Sequence, residues 1–152
     1  MSQRSHDLLH AKTGVLLPAA ARAAVAMYRP VLRRLRLTHP QYLVLLTLDD
    51  GQTHSFGEIS DRLALTGGTM TPMLKRLTIL GYIIRTRARE DERRVMVTLT
   101  DTGRELIPEL RDIRDQVNRD IGLTHAERER LQLFIESLRS ATTPTGQEKP
   151  AS

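Results

Sequence analysis

The chain has 152 residues, about one domain's worth, with 23 Lys and Arg against 18 Asp and Glu and a formal net charge of +5. Cys is absent, which excludes disulfides, thiolate metal sites, a Cys nucleophile and a thiol redox switch. Apolar residues make up 39% and aromatic ones only 3%, so the core is aliphatic and a mainly helical fold is expected over an aromatic-rich sandwich.

The first twelve residues carry Asp7 and no apolar stretch ending in a cleavage site, and no uninterrupted apolar run reaches the ~18 residues of a membrane span. The expectation is a cytoplasmic protein with no membrane partner. Residues 8–37 repeat apolar positions at helical spacing, through Leu9, Leu16, Ala20, Ala23, Met27, Val31 and Leu35. Pro18 and Pro30 fall inside this stripe, where each removes a donor and predicts a late start or a kink. Thr38-His39-Pro40-Gln41 has the form of a capping box. It opens a nearly all-apolar helix through Leu48, with Gly51 as its left-handed stop. Ser55-Phe56-Gly57-Glu58 is a second box, opening a short amphipathic helix with Phe56, Ile59 and Leu63. Thr66-Gly67-Gly68-Thr69 reads as a turn, after which Met70, Met73, Leu74 and Leu77 restart the helical period up to Gly81. Two short helices joined by a Gly-containing turn are a helix-turn-helix pattern.

The period then changes to two. Residues 82–87 and the alternating Val95, Val97 and Leu99 predict two strands around a charged loop, a β-hairpin wing. After Asp101-Thr102-Gly103 a long helix follows with Leu106, Leu110, Ile113, Val117 and Ile121, and Gly122 breaks it. Thr124 and Glu127 cap a last helix carrying Leu131, Phe134, Ile135 and Leu138. The expected organisation is an N-terminal dimerisation region at 8–37, a winged helix-turn-helix at 38–100, C-terminal dimerisation helices at 101–140 and a disordered tail at 141–152. The flanking stripes are too long for a winged core of roughly 60 residues to cover, so we expect a homodimer through intertwined N- and C-terminal helices.

Residues 66–94 hold Lys75, Arg76, Arg85, Arg87, Arg89, Arg93 and Arg94 against Glu90, Asp91 and Glu92, four of the five net charges of the chain. A charge run is usually a solvated face. Here it coincides with the second helix and the hairpin, the elements that enter DNA grooves in winged folds. Lys75 and Arg76 can neutralise phosphates. Thr69 and Thr71 can reach base edges or phosphates from the first turn, and Gly67 and Gly68 let backbone approach DNA or simply serve the turn. Arg93 suits a narrow minor groove. Asp91 either holds the Arg93 guanidinium or is only a turn residue. Arg94 stands beside Arg93 at the same tip.

On these residues the chain resembles the MarR family of dimeric winged-helix transcriptional regulators. The wing fits D-x-R-x5-L-T with Asp91, Arg93, Leu99 and Thr100. Within the family it is most similar to the organic-hydroperoxide-sensing (OhrR-like) subgroup, through residues 37–46, 68–77, 81–83 and 85–93. The resemblance implies a repressor on a pseudo-palindromic DNA operator, with Gly68, Thr69, Thr71, Lys75 and Arg76 on the recognition helix, Arg93 and Arg94 at the wing, and Asp91 supporting Arg93. Gly67 stands where the subgroup usually has Ser. The subgroup's sensor Cys aligns with Gly14, and its flanking Tyr positions with Pro18, Tyr28 and His39, so thiol-based peroxide sensing does not carry over. The wider family implies a small aromatic or phenolic effector in a cleft, which Gly14, Pro18, Tyr28, His39 and Tyr42 would line here; plain core packing explains them as well.

No phosphate-binding Gly-rich loop with a following Lys, no GxSxG and no HExxH occurs in the sequence, so we expect no enzyme, no cofactor and no metal site. His6 and His10 share a helix face but lack a third ligand. A nonspecific architectural DNA binder or protein-interaction module is the competing class.

Overall fold

In a computed structural model, described for residues 13–88, 90, 91 and 93–142, six helices and three strands are seen. They are α1 (Thr13–Arg34), α2 (His39–Thr47), β1 (His54–Ser55), α3 (Phe56–Leu63), α4 (Gly67–Ile79), β2 (Ile83–Arg87), β3 (Val95–Leu99), α5 (Asp101–Ile121) and α6 (His125–Thr142). The chain divides into two compact units at 117/118. In the first, α2, α3 and α4 pack with a three-stranded antiparallel sheet of order β1-β3-β2. The core is aliphatic, as composition requires: Val44, Leu45, Leu48, Ile59, Leu74, Leu77, Val97 and Leu110 are fully buried.

The capping boxes form as the sequence predicts. Thr38 Oγ1 accepts from Gln41 N–H while Gln41 Oε1 accepts from Thr38 N–H at 2.9 Å, and Ser55 and Glu58 exchange the same pair. In the second unit Thr124 N–H donates to Glu127 Oε2 at 2.8 Å, and Thr124 Oγ1 accepts in return. The Ser55 N–H, the Thr124 hydroxyl, which also donates to Glu127 Oε2 at 2.7 Å, and the Thr124 N–H hold the Glu58 and Glu127 carboxyls below the usual glutamate range.

Several expectations change. α1 is one helix that contains both Pro18 and Pro30, and residues 8–12, where an earlier start would fall, lie outside the described part. An 18-residue window within Gly14–Arg34 reaches a mean hydropathy of 1.3, so that helix is long and apolar enough by length and composition to cross a membrane. Counting only uninterrupted runs hid this, because Arg22 interrupts an otherwise alanine-rich stretch. α2 ends at Thr47 with Leu48 as its C-cap, and Gly51, at φ +72°, closes the turn after it. Gly67 and Gly68 belong to the first turn of α4; the turn is 64–66, with Ala64 left-handed at φ +51°. Strand β1 had no sequence signal, being two residues that extend the hairpin into a sheet. Gly103 lies inside α5, and a Cβ there would sit 2.1 Å from the Tyr82 carbonyl oxygen. α6 continues to Thr142, beyond the expected start of the tail at 141; residues 143–152 lie outside the described part, as do His6 and His10.

Candidate nucleic-acid interface

α4 presents two faces. Met70, Met73, Leu74 and Leu77 point into the core, and Gly67, Gly68, Thr69, Thr71, Lys75 and Arg76 are exposed. The periodicity produces this split: the apolar residues recur at three and four, which leaves the polar ones on the opposite arc. The approach to α4 is fixed by the turn. Leu65 N–H donates to Ser60 O at 3.0 Å, Ala64 N–H to Asp61 O at 3.2 Å, and the Ser60 hydroxyl to Leu65 O. Thr66 is the N-cap but its hydroxyl makes no cap bond; it meets the Thr69 hydroxyl at 3.2 Å instead. The amide end of α4 is therefore open.

Neither glycine at that end is demanded by the chain's own fold. Neither has a positive φ. A Cβ on Gly68 would meet nothing within 4 Å, and one on Gly67 would make ordinary contact with the Phe56 ring at 3.9 Å. Both are in the first turn of α4, and neither packing nor backbone geometry requires glycine at either place.

At the far end of α4, Gly81 at φ +78° lets Tyr82 N–H reach back to Leu77 O (3.1 Å) and Gly81 N–H to Thr78 O (3.0 Å). Ile83 begins β2 immediately, so helix and wing are joined without slack. Thr100 closes the other side. Its hydroxyl donates to Gly81 O at 2.6 Å, its N–H to Tyr82 O at 3.0 Å, and Gly103 N–H donates to its hydroxyl at 2.9 Å. The Leu-Thr of the wing motif is thus a clasp: Leu99 is buried, and Thr100 pins the hairpin's end to the end of α4.

The wing pairs Ile83 with Leu99 through to Arg87 with Val95. Its tip is held by Ala88 N–H to Arg94 O and Arg94 N–H to Asp91 O, both 2.9 Å. Asp91 Oδ1 accepts from the Arg93 backbone N–H at 3.0 Å. Asp91 is therefore a turn residue, and it orients Arg93 through the main chain. Arg85, Arg93 and Arg94 are exposed. Arg93, Arg94 and Val95 also wall a cleft of about 630 Å³ against Ser55, Phe56, Gly57, Glu58 and Asp61 at the start of α3. Arg89 and Glu92 lie outside the described residues.

Of the five effector-cleft candidates the chain gathers three. Tyr28 and His39 have ring centroids 4.8 Å apart, Tyr28 and Tyr42 5.2 Å, and His39 and Tyr42 5.8 Å. Tyr42 is buried, and its Oη has no hydrogen-bond partner among the described residues. Burial pushes both phenols up, and the Arg114 guanidinium opposes it in each; burial pushes the His39 imidazole down. Gly14 and Pro18 are exposed and lie 14 and 10 residues back along α1, about 21 and 15 Å from Tyr28 at 1.5 Å per residue. A single chain does not bring them to the aromatic cluster.

Sequence reasoning missed two ties. Arg111 on α5 donates from Nε to Asp49 Oδ2 at 2.7 Å and also reaches Oδ1. His54 Nε2 lies 2.9 Å from both Asp50 oxygens, which holds the Asp50 carboxyl below the usual aspartate range. Arg111 and Asp49 are 62 residues apart, beyond any local pattern.

Among known proteins, the family described as transcriptional regulator SarA/Rot matches residues 26–110. The HTH-type transcriptional regulator TtmR of Methylorubrum extorquens is 44% identical over 121 residues, which are 80% of this chain and 62% of TtmR; the chain thus spans less than two thirds of that relative. The organic hydroperoxide resistance transcriptional regulator of Bacillus subtilis is 42% identical over 98 residues, 64% of this chain and 67% of its own length. The structure of overoxidised AbfR, a Staphylococcus epidermidis protein, bound to DNA superposes with a TM-score of 0.75 at 26% identity, covering 92% of this chain and 99% of AbfR.

Proposed function

Because this chain belongs to the SarA/Rot-type, MarR-like family of winged-helix transcriptional regulators, whose members are DNA-binding regulators and not enzymes, we propose that it is a homodimeric, cytoplasmic repressor reading a pseudo-palindromic operator. Two copies of α4 enter successive major-groove segments about 34 Å apart, and two wings follow the flanking minor grooves. The observation that carries this reading is the bare N-terminal end of α4. Gly67 and Gly68 have no role in the chain's own packing, and they leave open amides and the Thr69 and Thr71 hydroxyls where a duplex approaches. Lys75 and Arg76 supply phosphate contacts further along, and Arg93, with its backbone held by Asp91 and Arg94 beside it, serves the minor groove.

The homodimer is supported by what the chain leaves uncovered. In the first unit Val15, Leu16, Leu17, Val25 and Met27 of α1 are exposed, and in the second Leu131, Leu133, Phe134, Ile135 and Leu138 of α6 are exposed. A second copy covers such faces. Without Cys no sulfenic acid forms, so the protein is constitutive or answers a signal other than thiol oxidation. A small aromatic or phenolic effector would lie against Tyr28, His39 and Tyr42; Gly14 and Pro18 join only across a dimer.

Footprinting on the DNA beside the gene tests the reading. Protection of a short inverted repeat by a dimer is expected. Uniform, salt-sensitive coverage with no preferred site would mean an architectural binder, and a monomer in sedimentation, or sedimentation of the chain only with vesicles, would overturn the dimer.

A further inference from the structure

Four arginines crowd the corner where α1 gives way to α2. Arg29 and Arg33 lie one helical turn apart, Arg34 ends the helix and Arg36 stands in the turn beyond it; all four are exposed. From residue 13 to residue 48 the chain has five arginines and no carboxylate. None of the four has a side-chain partner among the described residues. This corner matches the charge of the wing segment yet lies far from it in sequence.

Arg36 is the telling residue. The helix closes with Leu37 N–H on Leu32 O (3.0 Å) and Arg36 N–H on Arg33 O (3.1 Å), a pattern whose left-handed residue is usually glycine. Here it is arginine, at φ +55°, a conformation unfavourable to an L side chain. Of the chain's other left-handed helix ends, α3 closes on Ala64 with the same pair of bonds, while Gly81 and Gly122 are glycines. An arginine at this position costs more than glycine and keeps a fourth cation at the corner. Beside it, Arg29 and Arg33 flank a cleft of about 280 Å³ whose other walls include Leu32, Leu37 and the Thr38-Pro40 start of α2, where the positive end of the α2 dipole meets the negative end of α1.

We propose that this arginine corner is a second DNA-contact surface, binding backbone phosphates that neither α4 nor the wing touches. It rests on the DNA-binding reading above. A polyanion with evenly repeated charges suits four separate guanidiniums with no counter-charge, and their planar forks match phosphate oxygens. Such contacts strengthen binding without adding sequence information.

Two variants test it by titrating operator and scrambled duplexes at several salt concentrations. Arg36→Gly relieves the backbone, so its Tm is expected to rise while operator affinity falls, with the salt slope shrinking by about 0.9 for each phosphate no longer neutralised. R29Q/R33Q/R34Q is expected to weaken operator and scrambled duplex alike, by about tenfold near physiological salt, leaving their ratio unchanged. If both variants bind with wild-type affinity and slope, the inference falls. It falls equally if DNA binding is unchanged while wild type, and not the variants, sediments with vesicles of anionic lipid. Should wild type bind no duplex, the DNA-binding reading itself fails, an outcome separable from the first because the wild-type titration reports it.

Discussion

The winged core and the flanking helices carry the same kind of sequence signal and meet different fates. Ile59, Leu74 and Leu77 recur at helical spacing in α3 and α4 and are at most 1% exposed; Leu16 of α1 and Ile135 of α6 belong to the flanking stripes and are 44% and 45% exposed. Periodicity reports that a stripe exists and says nothing of what covers it. In the core the covering surface is within the same roughly 60 residues. For α1 and α6 we place it on a second copy.

The largest contrast comes from truncating the two kinds of apolar residue. Leu77→Ala is expected to cost about 2–5 kcal/mol in chemical denaturation, at every protein concentration. Phe134→Glu should instead leave the winged core folded by circular dichroism and shift sedimentation from dimer to monomer, since a charge is costly only where a partner buries it. A monomeric wild type, or a Phe134→Glu dimer of unchanged strength, breaks the comparison.

Next in size is the joint between core and flank. Gly103→Ala places a methyl 2.1 Å from the Tyr82 carbonyl oxygen, so α5 or the start of β2 must shift, at about 1–3 kcal/mol in a denaturant titration. Wild-type stability in this variant would mean that α5 slides freely over the wing.

Within the DNA-binding face, Arg93→Ala is expected to cost about 1–3 kcal/mol of operator affinity, most of it at A·T-rich flanks. Lys75→Ala should weaken specific and nonspecific binding alike and reduce the salt slope by about 1. Gel-shift titrations over a salt series separate the two; an unchanged Arg93→Ala removes the wing, and a loss confined to specific sites makes Lys75 a base reader.

The smallest effect is a pH dependence at the aromatic cluster. Burial favours neutral His39, so its folded pKa lies below the unfolded 6.5 and the unfolded chain takes up the proton first as pH falls. The stability from this group is full above about 6.5 and declines as pH drops below it. Thermal melts at stepped pH should show that decline flattened in His39→Phe; identical profiles would mean that water reaches the ring.

Much of the fold was legible because its signals are local. Each capping box needs partners three residues apart, and each αL glycine acts on its own turn, so Thr38, Ser55, Thr124, Gly81 and Gly122 could be read directly. The recognition helix was legible for the same reason, while its boundary was not: Gly67 and Gly68 look like turn residues, and only the left-handed Ala64 shows the turn lying earlier. Asp91 was readable as one of two options, and its bond to the Arg93 N–H is the contact a turn residue makes.

The sequence alone determined the order and type of the helices, the two hairpin strands, the uncovered apolar stripes and the absence of thiol chemistry, because these depend on residue identity and spacing over a few turns. Tertiary structure alone decided the third strand, the Thr100 clasp that fixes the wing to α4, the close approach at Gly103, the Arg111–Asp49 tie and the grouping of Tyr28, His39 and Tyr42. Those contacts join residues well separated along the chain, and no local pattern encodes which distant surfaces meet once the entropy of closing the loop between them has been overcome.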